Sequence, residues 1–244
     1  HTTLLQMLFG LSEAPQILNI VLHFGTLIVV LIVYRARIWA MIRHPLSSDL
    51  KWLIVATLPT YYVLTPEQME NYYRQLADAI EGPLMLYNIL ATTHMSIPVS
   101  IIRRLADHPN IVGLKDSERD LERMAQCIGL AKGRDDFAYF CGWAAQSALS
   151  LELGGDGIVP STGNFVPEMF RQLYEAAVAG DMATANRLQE ETNEIAKVYQ
   201  QNRTLGQSLT ALKVMMQTKG LCEPWMLMPL TRLTPAEEDV IIAK

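Results

Sequence analysis

One lysine in this chain occupies a position where a lysine is costly unless it is paired or does chemistry. The segment Ile111–Ser117 is Ile-Val-Gly-Leu-Lys-Asp-Ser, and a short apolar run bounded by turn residues is typical of a buried parallel strand. Lys115 would lie at the carboxyl end of that strand. Burial leaves an amine unprotonated and nucleophilic, which Schiff-base formation with a ketone requires. The alternative is a lysine whose amine reaches solvent from the strand end.

The segments on either side of this lysine predict the elements that would position it. Strand-like runs at 83–88, 137–142 and 157–162 alternate with helix-like runs, and this rhythm indicates a parallel sheet and a (β/α) barrel or part of one. In such barrels the chemistry lies where strands end. Tyr87, Lys115 and the 157–162 segment would therefore face one mouth.

Four motifs in this order resemble the pyruvate-dependent class I aldolase family of dihydrodipicolinate synthase and N-acetylneuraminate lyase. They are Tyr61-Tyr62, Tyr87-Asn88, Gly-Leu-Lys-Asp at 113–116 and Gly-Gly-Asp-Gly-Ile-Val-Pro-Ser at 154–161. The resemblance runs from about residue 59 to the C-terminus. It implies an α/β fold: a partial (β/α)8 TIM barrel, about strands 4–8, followed by a C-terminal helical bundle and preceded by an apolar helical segment.

The same resemblance implies roles for individual residues. Lys115 would condense with the ketone of pyruvate or another 2-keto acid, Tyr87 would move protons, and Tyr62 would reach into the site of a neighbouring subunit. The backbone of Gly157, Ile158 and Val159 would hold the keto-acid carboxylate. The resemblance implies no metal, no cofactor and a homo-oligomer.

Ordinary structural roles remain as alternatives for these residues. Tyr87 could be a core aromatic with a satisfied hydroxyl, and Tyr62 could pack at the entry to a helix. The glycine at position 157 permits close approach of a ligand, but a plain turn explains it nearly as well.

Three departures from the family pattern limit the expected activity. The family's first three strands, with a Gly-Thr-Thr-Gly-Glu loop that grips the carboxylate, have no counterpart in the sequence, so an impaired enzyme is expected. Leu90 replaces a proline and would loosen the turn that aims Tyr87. Thr92 replaces an arginine that would bind the second substrate's carboxylate. A sugar-derived aldehyde is therefore favoured over aspartate semialdehyde.

The N-terminal quarter has a different composition. Ile17 to Val33 is almost uninterrupted apolar sequence, and its length is near the lower limit of about 17 residues for a transmembrane helix. Tyr34, Arg35 and Arg37 follow it, as an aromatic belt and a basic cytoplasmic flank would. The prediction is membrane contact through residues 17–33; the alternative is a buried core helix.

Residues 1–58 resemble a fragment of the membrane undecaprenyl-diphosphate phosphatases. The resemblance depends on Leu18–Leu27, Tyr34–Ile38 and Leu53–Thr60, with His1 at the end of that family's Ser-Ser-Thr-Gly-His motif. Its glutamate-rich motif and its Pro-Gly-x-Ser-Arg-Ser-Gly motif are absent, so phosphatase activity is not expected. The hypothesis is a chimera joined near residues 58–60, and Trp52–Leu58 could start a membrane helix or form a strand. Its β-branched residues favour the strand.

The predicted organisation is an apolar membrane-like fragment (1–58), a partial barrel (59–180) and C-terminal helices (181–244). Helices are predicted at 65–81, 96–107, 120–133, 144–153, 167–179, 182–202, 208–218 and 235–243.

A net charge of −5 over 244 residues argues against a nucleic-acid partner. Three cysteines without metal-ligand spacing fit a reducing compartment, and the expected location is cytoplasmic, with possible membrane association. The alternative to an aldolase is an inactive chimeric or membrane-anchored product.

Overall fold

Five short parallel strands form one sheet in the computed structural model, which describes residues 54–56 and 62–243. The strands are β1 (Ile54–Ala56), β2 (Leu84–Asn88), β3 (Ile111–Asp116), β4 (Ala138–Cys141) and β5 (Gly157–Ile158). Their order in the sheet is their order in the chain, as expected where each strand returns to its neighbour through a crossover helix. The predicted α/β architecture of alternating strands and helices is confirmed.

Nine α-helices complete the part of the chain that the structure describes. They are α1 (Pro66–Ala79), α2 (Leu90–Thr93), α3 (Val99–Leu105), α4 (Leu121–Ala131), α5 (Ser147–Glu152), α6 (Pro167–Val178), α7 (Met182–Gln200), α8 (Leu205–Thr218) and α9 (Pro235–Ile242). Capping boxes at Thr65, Thr204 and Thr234 begin α1, α8 and α9, because each threonine hydroxyl accepts an otherwise unpaired helical N–H. The C-terminal part is helical, as predicted.

Two local predictions need correction. The strand expected at 157–162 is only two residues long, because Pro160 has no N–H to donate to a ladder and a 3-10 turn follows at Ser161–Asn164. The helix expected at 144–153 is divided into a 3-10 turn, Ala144–Gln146, and α5. The short helix α2 was not predicted, since four residues are too few to show a helical period.

The two alternatives for Trp52–Leu58 are resolved at residues 54–56, which form a strand. Ile54–Ala56 pairs in parallel with residues 84–86 of β2. The apolar segment 17–33 and the proposed join near residues 58–60 lie outside the described residues, so the three-part division of the chain remains a prediction. Within residues 54–56 and 62–243, no helix combines the length and apolarity needed to cross a membrane.

The largest core cluster lies between one face of the sheet and the helices α1, α3 and α4. Leu86, Leu114 and Tyr139 on neighbouring strands are almost completely buried there, against Ile102 and Met124 from the helices. Burying apolar surface between a parallel sheet and its crossover helices is the main stabilising term of this architecture.

One buried hydroxyl joins the C-terminal helices to the segment that follows β5. Tyr199 of α7 is 1% exposed, and its hydroxyl lies 2.8 Å from Ser161 Oγ and 2.9 Å from Thr162 Oγ1. Gln200 Nε2 donates a third hydrogen bond to the same oxygen at 2.8 Å. A buried hydroxyl with several partners fixes its surroundings, so Tyr199 fixes the connection that follows β5.

The burial of the cysteines generates a prediction about thiol chemistry. Cys127 and Cys141 are fully buried, whereas Cys222 is partly exposed. Burial raises the pKa of the Cys127 thiol to about 12 and also raises that of Cys141. Because the thiolate is the reactive form, we expect a disulfide-exchange reagent to modify one thiol of the native chain, Cys222, and all three in guanidinium. Cys222→Ser should leave no rapidly reacting thiol; fast native modification of Cys127 would contradict this core.

Candidate active site

Tyr87 and Lys115, predicted from separate strands, lie side by side at the carboxyl ends of β2 and β3. They are register partners in the sheet, so their side chains leave the same face. Lys115 Nζ lies 4.1 Å from the centroid of the Tyr87 ring, within the range of a cation–π contact. Both side chains are partly exposed. The arrangement places a nucleophile and a phenol at one accessible point.

The same level of the sheet continues across two further strands. Lys115 pairs in register with Phe140 of β4, and Phe140 pairs with Gly157 of β5. Tyr87, Lys115, Phe140 and Gly157 therefore form a row across four strands, named here the lysine row. Phe140 was not among the residues predicted from the sequence. Its signal was the two-residue alternation of Phe137–Cys141, which places position 140 on the face opposite the buried Tyr139.

Gly157 is at this position because Phe140 approaches it closely. A Cβ on Gly157 would lie 2.8 Å from two carbons of the Phe140 ring, closer than real Cβ contacts. The close approach expected from a ligand is thus made by a side chain of the protein itself. That the backbone at residues 157–159 also holds a carboxylate remains a prediction.

The predicted carboxylate-binding segment already uses one of its donors. The Val159 amide donates to the Cys141 carbonyl at 2.8 Å, and Gly157 and Ile158 pair with Phe140 and Cys141 in the sheet. Residues 157–159 line a cleft of about 570 Å³ alongside β5, together with Phe140, Phe170, Arg171 and Tyr174 among others. Phe140 and Gly157 belong to both the cleft and the lysine row, whereas Lys115 and Tyr87 do not line the cleft.

Tyr62 lies in the irregular segment that leads to α1, and 70% of its side chain is exposed. Val63 beside it is 89% exposed. The predicted role of Tyr62, in the site of a neighbouring subunit, requires a second chain and remains a prediction. Its large exposed ring is compatible with that role and also with simple solvent exposure at a helix entry.

Directly behind the lysine row lies a polar cluster that the sequence analysis missed. Asn88 and Asp116 follow Tyr87 and Lys115, so their side chains leave the opposite face of the sheet, where they are 1% and 2% exposed. Asn88 Nδ2 donates to Asp116 Oδ1 at 2.8 Å and to Glu118 Oε2 at 2.8 Å. Arg123 Nε donates to Asp116 Oδ2 at 2.7 Å.

This cluster also fixes the segments that leave the two strands. Ser96 Oγ donates to Glu118 Oε2 at 2.6 Å, and the Ile97 amide donates to Asn88 Oδ1 at 3.0 Å. Arg123 Nη1 donates to the Ile97 carbonyl at 2.8 Å. A buried carboxylate is tolerated only when it is paired and hydrogen-bonded, and Asp116 has both kinds of partner. In the sequence, the signal for this cluster is a polar residue directly after each site residue, Asn88 and Asp116, in otherwise apolar strands.

The turn after Tyr87 is well defined although Leu90 replaces the family's proline. The amides of Thr93 and His94 donate to the carbonyls of Ile89 and Leu90 at 3.1 and 2.9 Å, which closes the helical turn α2. The expected loosening of this turn is thus not seen at residues 89–94. Thr92 is exposed and its hydroxyl donates to the Ile89 carbonyl at 3.2 Å.

Comparison with known proteins places this chain in a family. Residues 53–242 match the model of the dihydrodipicolinate synthetase family. The chain is 30% identical over 191 residues to a probable 2-dehydro-3-deoxy-D-pentonate aldolase of Escherichia coli strain K12, covering 77% of this chain and 62% of that protein. It is also 30% identical over 191 residues to the 4-hydroxy-tetrahydrodipicolinate synthase of Laribacter hongkongensis, covering 78% of this chain and 63% of that enzyme.

A solved structure gives the same result. An Escherichia coli K12 prophage protein of the dihydrodipicolinic acid synthase family, in complex with pyruvate, superposes with a TM-score of 0.71 at 28% identity. The superposition covers 78% of this chain and 64% of that one. The chain thus spans a little under two thirds of the length of these relatives.

The close contact between Gly157 and Phe140 predicts the effect of one methyl group. Gly157→Ala should force the Phe140 ring out of its place and lower the free energy of unfolding by about 1–3 kcal/mol, the usual cost of overpacking. Gly129→Ala is the matched control, because Gly129 is an exposed position inside α4 where an added Cβ meets nothing within 4 Å. The control should stabilise the protein by about 0.4–1 kcal/mol. Equal denaturant midpoints for the two variants would disprove the contact.

Proposed function

The chain belongs to the dihydrodipicolinate synthetase family, and we propose that it acts as a Schiff-base-forming class I aldolase or lyase on pyruvate or another 2-keto acid. The observation that supports this most strongly is the contact between the Lys115 amine and the Tyr87 ring, 4.1 Å apart at adjacent strand ends. Two groups fixed by a shared register need little reordering before reaction, and this kind of positioning is a large source of catalytic power.

In the proposed mechanism Lys115 is the nucleophile. Its unprotonated amine attacks C2 of the keto acid and forms a carbinolamine, which loses water to give an iminium ion. Loss of a proton from C3 then gives an enamine, whose C3 attacks the carbonyl carbon of an aldehyde. Hydrolysis of the product iminium releases the free lysine, and the reverse sequence cleaves the same carbon–carbon bond.

Tyr87 is the proposed proton carrier. A phenol can donate a proton to the leaving hydroxyl of the carbinolamine and accept one back in a later step. Its ring lies beside the lysine amine, so its hydroxyl is attached to a group whose position is fixed relative to the nucleophile. The partial exposure of both side chains leaves the site accessible to a small keto acid.

The aldehyde partner is proposed to be sugar-derived. Thr92 takes the place of the arginine that would bind the carboxylate of aspartate semialdehyde, and its hydroxyl donates to a backbone carbonyl of its own turn. A relative at 30% identity carries the name of a 2-dehydro-3-deoxy-D-pentonate aldolase. A hydroxylated, uncharged aldehyde has no carboxylate for a guanidinium to bind. A threonine at position 92 agrees with such a substrate.

A homo-oligomer is part of this proposal. Tyr62 matches the family tyrosine that completes a neighbouring subunit's site, and the exposed Tyr62-Val63 pair supplies apolar surface that a subunit contact would bury. The competing hypothesis is the inactive or membrane-anchored chimera, based on the resemblance of residues 1–58 to a phosphatase fragment. That hypothesis makes the opposite prediction for the experiment below.

Borohydride trapping with pyruvate tests the proposed function. The reduced adduct should be found by mass spectrometry on one peptide, the one containing Lys115, because that amine lies at a strand end beside a phenol that can carry the protons of imine formation. Lys115→Ala should abolish it, whereas Lys132→Ala, which removes an exposed lysine, should not. Labelling spread evenly over Lys132, Lys197 and Lys213 would show that Lys115 has no special reactivity.

A further inference from the structure

We propose that Asn88, Asp116, Glu118 and Arg123, named here the register clamp, are positioning residues that set the geometry of Tyr87 relative to Lys115. None of the four belongs to the lysine row, and they lie on the opposite face of the sheet. This inference rests on the proposed function, because it assigns the clamp a task within that chemistry.

The clamp joins β2 and β3 next to the pair that it would position. Asn88 and Asp116 are register partners, one residue beyond the Tyr87–Lys115 pair, and they are joined by a 2.8 Å side-chain hydrogen bond. The Ser117 amide also donates to the Asn88 carbonyl at 2.9 Å. A shift of one residue in register would turn every side chain of β3 to the other face. The side-chain bond therefore selects the register that brings the amine to the ring.

The charges of the clamp also hold its members in place. The clamp contains two carboxylates and one guanidinium, and Asp116 and Arg123 are 2% and 8% exposed. Glu118 Oε2 lies 3.4 Å from Arg123 Nε, so one guanidinium nitrogen faces both acids. Arg123 Nη2 is buried and has no hydrogen-bond partner among the described residues. A buried donor without a hydrogen-bond partner costs free energy. The position of the Arg123 guanidinium is therefore set by its contacts with Asp116 and Glu118.

The clamp extends beyond the two strands. Glu118 accepts from Ser96, and Arg123 donates to the Ile97 carbonyl, so the segment before α3 is fixed to the same group. The clamp thus holds both strand ends and the segment that leaves the Tyr87 strand. Its loss would free the Tyr87 ring to move relative to the amine, even with the sheet core intact.

Loss of the clamp should affect imine formation and methyl proton exchange to different extents. Imine formation uses the proton carrier once, at the leaving hydroxyl of the carbinolamine, whereas exchange of the pyruvate methyl protons with solvent needs the imine first and then the carrier again at C3. Misplacement by about 1 Å can cost roughly 100-fold in rate. Loss of the clamp should therefore reduce methyl exchange much more than it reduces trapping, as Tyr87→Phe should. A purely structural role would lower both in proportion to the folded fraction.

The experiment compares Glu118→Ala with Glu122→Ala in the full chain. Glu122 is an exposed glutamate nearby in sequence, and its carboxylate accepts only from Gln126 among the described hydrogen bonds. Two rates are measured with pyruvate: borohydride trapping at Lys115, and deuterium uptake into the methyl group followed by NMR in D₂O. We expect Glu118→Ala to lower the ratio of exchange to trapping by about 10-fold or more, and Glu122→Ala to leave it unchanged.

Asn88→Ser provides the second variant if Glu118→Ala does not fold. The shorter side chain no longer reaches Asp116, and the same fall in the ratio is expected. An unchanged ratio in a folded clamp variant would overturn the inference while leaving the aldolase proposal intact. Absence of trapping at Lys115 in the unmodified chain would instead overturn the proposed function, and with it the task assigned to the clamp.

Discussion

A hydrogen bond of 2.8 Å between Asn88 and Asp116 is the interaction on which the rest of the site depends. It joins two parallel strands at their carboxyl ends, directly beside the pair that would do the chemistry. Arg123 makes this bond possible, because the carboxylate of Asp116 is buried and would be unstable without a counter-charge. Removal of one partner from such a group typically costs more than the pair itself contributes. The strand ends and the polar cluster therefore form a single cooperative unit.

The alternation of side chains along a strand explains how one short segment serves two purposes. In β3, Leu114 and Asp116 point toward the helices, the first into the apolar core and the second into the polar cluster. Lys115 between them points to the other face, where Phe140 and Tyr87 are its register partners. The core that stabilises the sheet lies on its helix-facing side, which leaves the opposite side free to carry Lys115 and accessible surface.

The sequence predicted the parts of this arrangement that follow from local patterns. The apolar run ending at Lys115 and the Tyr87 strand showed their periods directly, and their meeting follows from the common edge of parallel strand ends. The polar residues Asn88 and Asp116, one after each site residue, were the local signal of the clamp, but no local pattern shows that Arg123 of the following helix bonds to Asp116. Phe140 was hidden for a similar reason, since its importance comes from its register with Lys115. The shortness of β5 depended on Pro160, whose effect was underestimated.

The most direct test of the account is a crystal structure of the protein soaked with pyruvate. Continuous electron density should join Lys115 Nζ to C2 of pyruvate, with the Tyr87 ring still against the adduct and the Asn88–Asp116 bond unchanged behind it. Pyruvate bound elsewhere, or an adduct at Lys115 with Tyr87 turned away from it, would contradict the account.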